Sequence, residues 1–169
     1  MQTKLFTGGQ FCTNLYIVHN QYEAIIIDPG FADQEIDQFI EQQNLIIKYI
    51  ILTHAHIDHY LFAGYYRVKY KAKIYCHEAD KQQFKRSYSY AKKVVDQFPQ
   101  NFMNSADIYF NCGQLQLCLN HVPFYVRFTL LFNMYVFNYI INQSIIIKFI
   151  IIQDDSIIFH IESKISLQK

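Results

Sequence analysis

Three histidines and an aspartate fall within six consecutive residues of the stretch ILTHAHIDHY, residues 51–60. The chain holds seven histidines in 169 residues, so nearly half are crowded into this one place. Neutral imidazoles and a carboxylate are ligands for zinc, iron or manganese, and residue types alone do not choose among those ions. His54 and His56 are two residues apart, so an extended backbone projects both to one side, where they can grip one divalent ion. Asp58 and His59 follow at the start of the next helix and can turn toward a second ion. Two such ions about 3.5–4 Å apart share a bridging hydroxide, a nucleophile at neutral pH. The competing reading is an inert histidine-rich loop, and the apolar strand before the cluster and the helix after it weigh against that.

These ligands need elements to hold them. Asn14 to Val18 and Glu23 to Ile27 are short β-rich runs split by a polar turn, which reads as a hairpin. The second run stops at Asp28-Pro29-Gly30, where proline fixes φ and glycine tolerates a left-handed turn. In DQEIDQFIEQQ, Ile36, Phe39 and Ile40 fall at helical spacing, with carboxylates near the start, where the helix dipole favours them. LIIKYIILT is a continuous apolar run, expected as a strand covered on both faces, and it leads directly into the histidines. YLFAGYYRVKYK then reads as a helix, AKIYCH as a strand and EADKQQFKRSYSYAKKVVDQF as a longer helix. Strand, helix, strand in alternation predicts an α/β architecture in a single domain spanning residues 1–169.

With those elements placed, the motif and its flanks resemble a known family. THAHIDHY is similar to the Thr-His-x-His-x-Asp-His signature of the metallo-β-lactamase superfamily. The flanks resemble its glyoxalase II-like (hydroxyacylglutathione hydrolase-like) branch. NLYIVHNQYEAIIIDPG is similar to that branch's opening hairpin, KIYCHEAD to the strand after the metal loop, and GQLQLCLNHVP to the strand entering the next metal motif. The likeness covers about residues 10 to 123. It implies an αββα sandwich with the metals at the sheet edges. His54 and His56 would hold the first ion, and Asp58 and His59 the second. Asp28 would be either a support behind the ligands or simply a turn residue.

The likeness breaks after Pro123. The family reads Gly-His-Ser/Thr-x-Gly there, whereas this chain reads Phe124-Tyr125-Val126-Arg127-Phe128, with Tyr125 at the histidine position. His121 matches a family histidine that is not a ligand. IIIQDDSIIFHIESK resembles the family segment whose aspartate bridges both metals, which would make Asp155 the bridge; a plain turn at DDS is the other reading. Residues 124–169 hold no glycine or proline after Pro123, so the sandwich is expected to be divergent or truncated at its C-terminal third.

Composition narrows the function classes. The hydrophobic fraction is 51% and the charged fraction 17%, which excludes extended disorder. A net charge of +1 speaks against a dedicated nucleic-acid binder. Polar residues interrupt the apolar stretch from Val122 to Ile152, so strands are expected there and not a membrane span. With no secretory signal read at the start, a cytoplasmic setting is expected, with the four cysteines reduced and mostly buried. Nine of the fifteen basic residues lie between Arg67 and Lys93, opposed there only by Glu78 and Asp80. That is a positive rim for an anionic substrate or a solvated helix face.

Together these imply a zinc-dependent hydrolase, with one or two ions and with iron or manganese as alternatives, that attacks a thioester of hydroxyacylglutathione type. Asp58 would orient the nucleophile as well as bind metal. The rivals are a single-iron sulfur dioxygenase and an impaired family member that keeps the fold as a metal-binding or structural module. The expected partner is a small molecule, possibly an anionic thioester.

Overall fold

The computed structural model describes residues 1–111 and 117–119 with their side chains, and the strands within 114–166 at the level of the backbone. The chain divides into two compact units, Met1–Asn111 and Cys112–Lys169.

The first unit is a six-stranded mixed sheet in sequential order, β1 to β6. β1 (Gln2–Gly8), β2 (Thr13–His19) and β3 (Glu23–Ile27) form an antiparallel meander. β4 (Ile46–Ile51), β5 (Lys73–His77) and β6 (Ile108–Phe110) then add on in parallel. The hairpin, the central strand and the KIYCH strand lie where their β-branched runs placed them. β1 was not foreseen: its pattern is mostly exposed, with Phe6 alone buried, so it gives no alternation signal.

Helices fill the crossovers. α1 (Gln34–Gln42) starts at Asp33, whose side chain accepts from the Glu35 N–H, and buries Ile36 and Ile40. The expected helix 60–71 is two pieces, α2 (Ile57–Tyr60) and α3 (Ala63–Tyr70), and the long helix is a 3₁₀ turn, Glu78–Asp80, followed by α4 (Gln83–Val94). The core on the helix side joins Leu15, Ile17, Ile26, Ile50 and Ile74 of the sheet to Ile36, Tyr66 and Phe84 of the helices. Val18, Ile25, Ile27 and Ile51, which alternate with the sheet members of that core, are also fully buried.

Coverage of β4 on both faces holds only for its second half. Ile46 is 61% exposed, and Lys48 sits at a register shift where Ala24 pairs Ile47 but Ile25 pairs Tyr49. The extra residue lets Lys48 leave the sheet and reach Glu23 at 3.4 Å. Farther along, Asp107 fastens α3 to the sheet. It accepts three hydrogen bonds from Arg67 at 2.7–2.9 Å and one from the Ile74 N–H. The guanidinium holds this carboxyl below its ordinary range.

The second unit is a four-stranded antiparallel sheet in the order β10-β9-β8-β7. Its strands are β7 (Gln114–Leu119), β8 (Val122–Phe137), β9 (Ile140–Gln153) and β10 (Ser156–Ser166). The scarcity of turn residues is met by length: β8 and β9 run 16 and 14 residues, so few connections are needed. Val122–Phe137 and Ile140–Gln153 accordingly form strands, and among the described residues no helix is long and apolar enough to cross a membrane. Of the described cysteines Cys12 and Cys118 are exposed and only Cys76 is buried, against the expectation for most of them.

Candidate metal centre

The site is built at the ends of β3 and β4, which are parallel neighbours. β4 stops at Ile51, so His54 and His56 lie on the loop beyond the strand and not in it, as the strand reading had placed them. The chain bends at Thr53 and His54, and His56, extended at φ −83° and ψ 143°, is the residue from which α2 starts. The His54 and His56 rings are 4.7 Å apart between centroids, and the His54 and His59 rings 4.1 Å. Three imidazoles are therefore gathered at one point. Asp58, in the first turn of α2, brings Oδ2 to 3.4 Å from His59 Nε2.

Asp28 organises this cluster from below. It is 2% exposed and sits at φ +52°, a left-handed conformation that aspartate tolerates better than most residues. Its Oδ1 accepts the Thr53 backbone N–H at 2.7 Å. Its Oδ2 accepts the Thr53 hydroxyl at 2.5 Å and faces His59 Nδ1 at 2.9 Å. Assigned from this network, His59 carries a proton on Nδ1 toward Asp28, and its Nε2 faces Asp58 Oδ2. The Thr53 hydroxyl gives its hydrogen to Asp28 and so accepts from His54 Nδ1, 3.0 Å away. His54 Nε2 is thereby freed. One carboxylate and one hydroxyl set the tautomers of two imidazoles.

The protonation of the three rings follows from burial and neighbours. Burial drives His54 well below the ordinary imidazole value, and the positive charge of His59 and His56 adds to that. His56 is lowered by burial against the opposing pull of Asp58. For His59 burial acts downward, but the charge and hydrogen bond of Asp28, with Asp58 behind them, outweigh it and raise the value. His54 and His56 are therefore neutral and lone-pair-bearing at pH 7, while the His59 side attracts positive charge. Donor atoms of Asp28, His54 and His59 all lie within 4.8 Å of one another. Because the Asp28 oxygens are engaged by Thr53 and His59, Asp28 supports the ligands in this arrangement.

Three contacts fix the loop, and none stood out in the sequence. Thr53 acts as described. Asp80 Oδ1 accepts the Ala55 N–H at 3.3 Å, and Ser87 Oγ on α4 donates to the Ala55 carbonyl at 2.6 Å. Gly30 also plays a different part from the one foreseen. The positive φ of this turn falls on Asp28, and Gly30 is required because an added Cβ would lie 1.6 Å from the Asp58 carbonyl oxygen. Asp155 and His121 lie outside the described residues. Tyr125 stands in mid-strand on β8, its backbone paired with Gln116 and Ile152. β8 runs on through Phe137 at the point where the Gly-His-Thr segment would stand, since its β-branched and aromatic residues include no glycine to interrupt it.

A model of the metallo-beta-lactamase superfamily matches residues 8–129. The chain belongs to this superfamily. The mixed α/β fold agrees: the crystal structure of the BLEG-1 B3 metallo-beta-lactamase superposes with a TM-score of 0.61 at 23% identity, over 74% of this chain and 60% of that one. Among curated proteins, the probable metallo-hydrolase YqgX of Bacillus subtilis is 33% identical over 81 residues, 48% of this chain and 38% of YqgX. Hydroxyacylglutathione hydrolase 1 of Vibrio vulnificus is 40% identical over 45 residues, 27% of this chain and 18% of that enzyme. The chain thus spans well under half the length of these curated relatives. As a member of a superfamily that binds divalent metals, it presents among the described residues a cluster of Asp28, His54 and His59 of the right donor types; His56 and Asp58 are not part of that group.

Proposed function

We propose that the chain is a metal-dependent hydrolase that cleaves thioesters, with zinc as its metal. The observation that carries this reading is the gathering of His54, His56 and His59 with Asp58 at one loop, two of the three rings held at Nδ1 by Thr53 and Asp28. The donor chemistry fits a divalent ion: neutral nitrogen ligands, one available carboxylate, and hydrogen-bonded support behind them. His54 and His56 would hold one ion, and Asp58 and His59 a second, with Asp155 as a candidate bridge. Such an ion supplies Lewis acidity and lowers the pKa of water into the neutral range.

The protein's own share is orientation. Asp58 lines an open cavity, and its carboxylate can accept a hydrogen bond from an attacking water, which aims the water's lone pair at a carbonyl carbon. The Thr53–Asp28 network keeps the imidazoles from turning, so little reorganisation accompanies substrate binding. The thioester preference is supported by the 40% identity to a hydroxyacylglutathione hydrolase over 45 residues, and the small-molecule reading by the cavity beside the proposed ligands.

A thioester hydrolysis assay with zinc in excess tests this. Turnover is expected, and His56→Ala should reduce it by about a hundredfold or more, the usual scale for losing a metal-centre group. A folded, zinc-loaded chain with no turnover, or one indifferent to His56→Ala, would leave a metal-binding module. One tightly held iron per chain would instead favour a sulfur dioxygenase.

A further inference from the structure

Beside the cluster lies a cavity of about 370 Å³, large enough for a small organic molecule. His56 and Asp58 form one wall, and Gln83, Arg86, Ser87 and Tyr90 of α4 form the other. Those four positions fall at i, i+3, i+4 and i+7, one stripe of a helix. Ser87 in the middle of the stripe is buried and bonded to the Ala55 carbonyl of the metal loop. The two walls are therefore fastened together, with Arg86 on the turn of α4 that carries Ser87.

Arg86 is the basic residue that lines this cavity. Lys48, Arg67, Lys69 and Lys81 each pair with an acid, respectively Glu23, Asp107, Asp37 and Glu78. Lys92 lies over the Tyr88 ring. Among the described residues Arg86 has no ion-pair or hydrogen-bond partner, and it is exposed on the cavity wall. A planar guanidinium with five donors, next to a half-exposed tyrosine and a glutamine amide, matches a carboxylate in geometry and charge.

We propose that Arg86, flanked by Gln83 and Tyr90, is the specificity-determining residue that receives a carboxylate of the substrate in the cavity beside His56 and Asp58. The substrate class is then a carboxylate-bearing thiol conjugate, with its acyl–sulfur bond toward the histidines and its anionic end on α4. This rests on the thioester reading for the direction of the bound molecule. The unpaired guanidinium, tied to the loop through Ser87, carries it; the general excess of basic residues does not.

The test is binding of S-methylglutathione, a thioether that carries two carboxylates and cannot be hydrolysed, measured by calorimetry on the full chain with zinc present. Arg86→Gln should weaken binding about tenfold or more, the scale of one charge-assisted hydrogen bond, while Lys93→Gln, which removes an equal charge elsewhere on α4, should change it less than about twofold. Equal effects from both variants, no effect from either, or no binding to the unaltered chain would overturn the proposal. Because no turnover is needed, Arg86-dependent binding by a chain without thioesterase activity would sink the functional reading and leave this one standing.

Discussion

Gly30→Ala is expected to be the most damaging small substitution in the chain. The added methyl would sit 1.6 Å from the Asp58 carbonyl oxygen and 2.7 Å from Thr13 Oγ1, distances no real Cβ adopts. Neither neighbour can yield cheaply. The Asp58 carbonyl belongs to the backbone of α2, whose first turn carries the Asp58 and His59 ligands, and Pro29 beside Gly30 accepts the Phe62 N–H at 3.0 Å. Relief must come from moving the Asp28–Gly30 turn or the start of α2, and either motion separates Asp28 from His59. Overpacking of this kind costs about 1–3 kcal/mol where side chains can adjust, and more is expected where backbone meets backbone. Urea unfolding should show a clear drop in midpoint, together with at least a hundredfold loss of hydrolysis. Gly30→Ala with unaltered stability and activity would mean that the turn and the metal loop are not in contact.

The second large effect is expected at Asp28. Asp28→Ala removes the acceptor of the buried Thr53 N–H, the Thr53 hydroxyl and His59 Nδ1 together. Each buried donor left unpaired costs about 1–3 kcal/mol, and alanine is a poor occupant of φ +52°. The sharper variant is Asp28→Asn. Asparagine tolerates the left-handed backbone and keeps the volume, but its amide has only one acceptor atom. Whichever way it is turned, an NH₂ group meets a donor: the Thr53 N–H in one orientation, the Thr53 hydroxyl and His59 Nδ1 in the other. The folded state should survive while the tautomer control is lost, so metal affinity should fall about 10–100-fold. A competition titration against a coloured chelator measures it. An Asp28→Asn chain that binds as tightly as the original would show that Asp28 is only a turn residue.

That last point marks where the sequence was informative and where it was not. The four motif residues were legible because unlike donors at short spacing have few other uses, and the strands around them because β-branched runs such as Glu23 to Ile27 announce themselves. The role of Asp28 stayed open, since a residue before Pro-Gly reads equally well as a turn. Only the packing of β3 against β4 brings it under Thr53 and His59. Ser87 and Asp80 gave no signal at all, because their bonds to Ala55 join residues 25–32 positions apart. Helix breaks at Leu61–Phe62 and after Asp80 were missed for a related reason: composition favours one long helix in each case, and tertiary contacts such as the Phe62 N–H to Pro29 carbonyl decide otherwise.

The family assignment explains the scaffold, and it makes the departure at Tyr125 more pointed. A chain that belongs to the superfamily carries a tyrosine in an unbroken strand where a metal-binding histidine is the family habit. The ligands proposed are two neutral imidazoles for one ion and an aspartate–histidine pair for the other, so moderate affinity is expected at each.

The central claim is that the side chains gathered at residues 54–59 hold a divalent cation. Metal titration of the chelator-stripped chain with zinc, followed by calorimetry, addresses it most directly. The account predicts saturable binding of roughly one to two equivalents, abolished in the His54→Ala, His56→Ala double variant while its circular dichroism is unchanged. A well-folded chain that takes up no zinc, iron or manganese, or that binds zinc equally well without those two imidazoles, would contradict it.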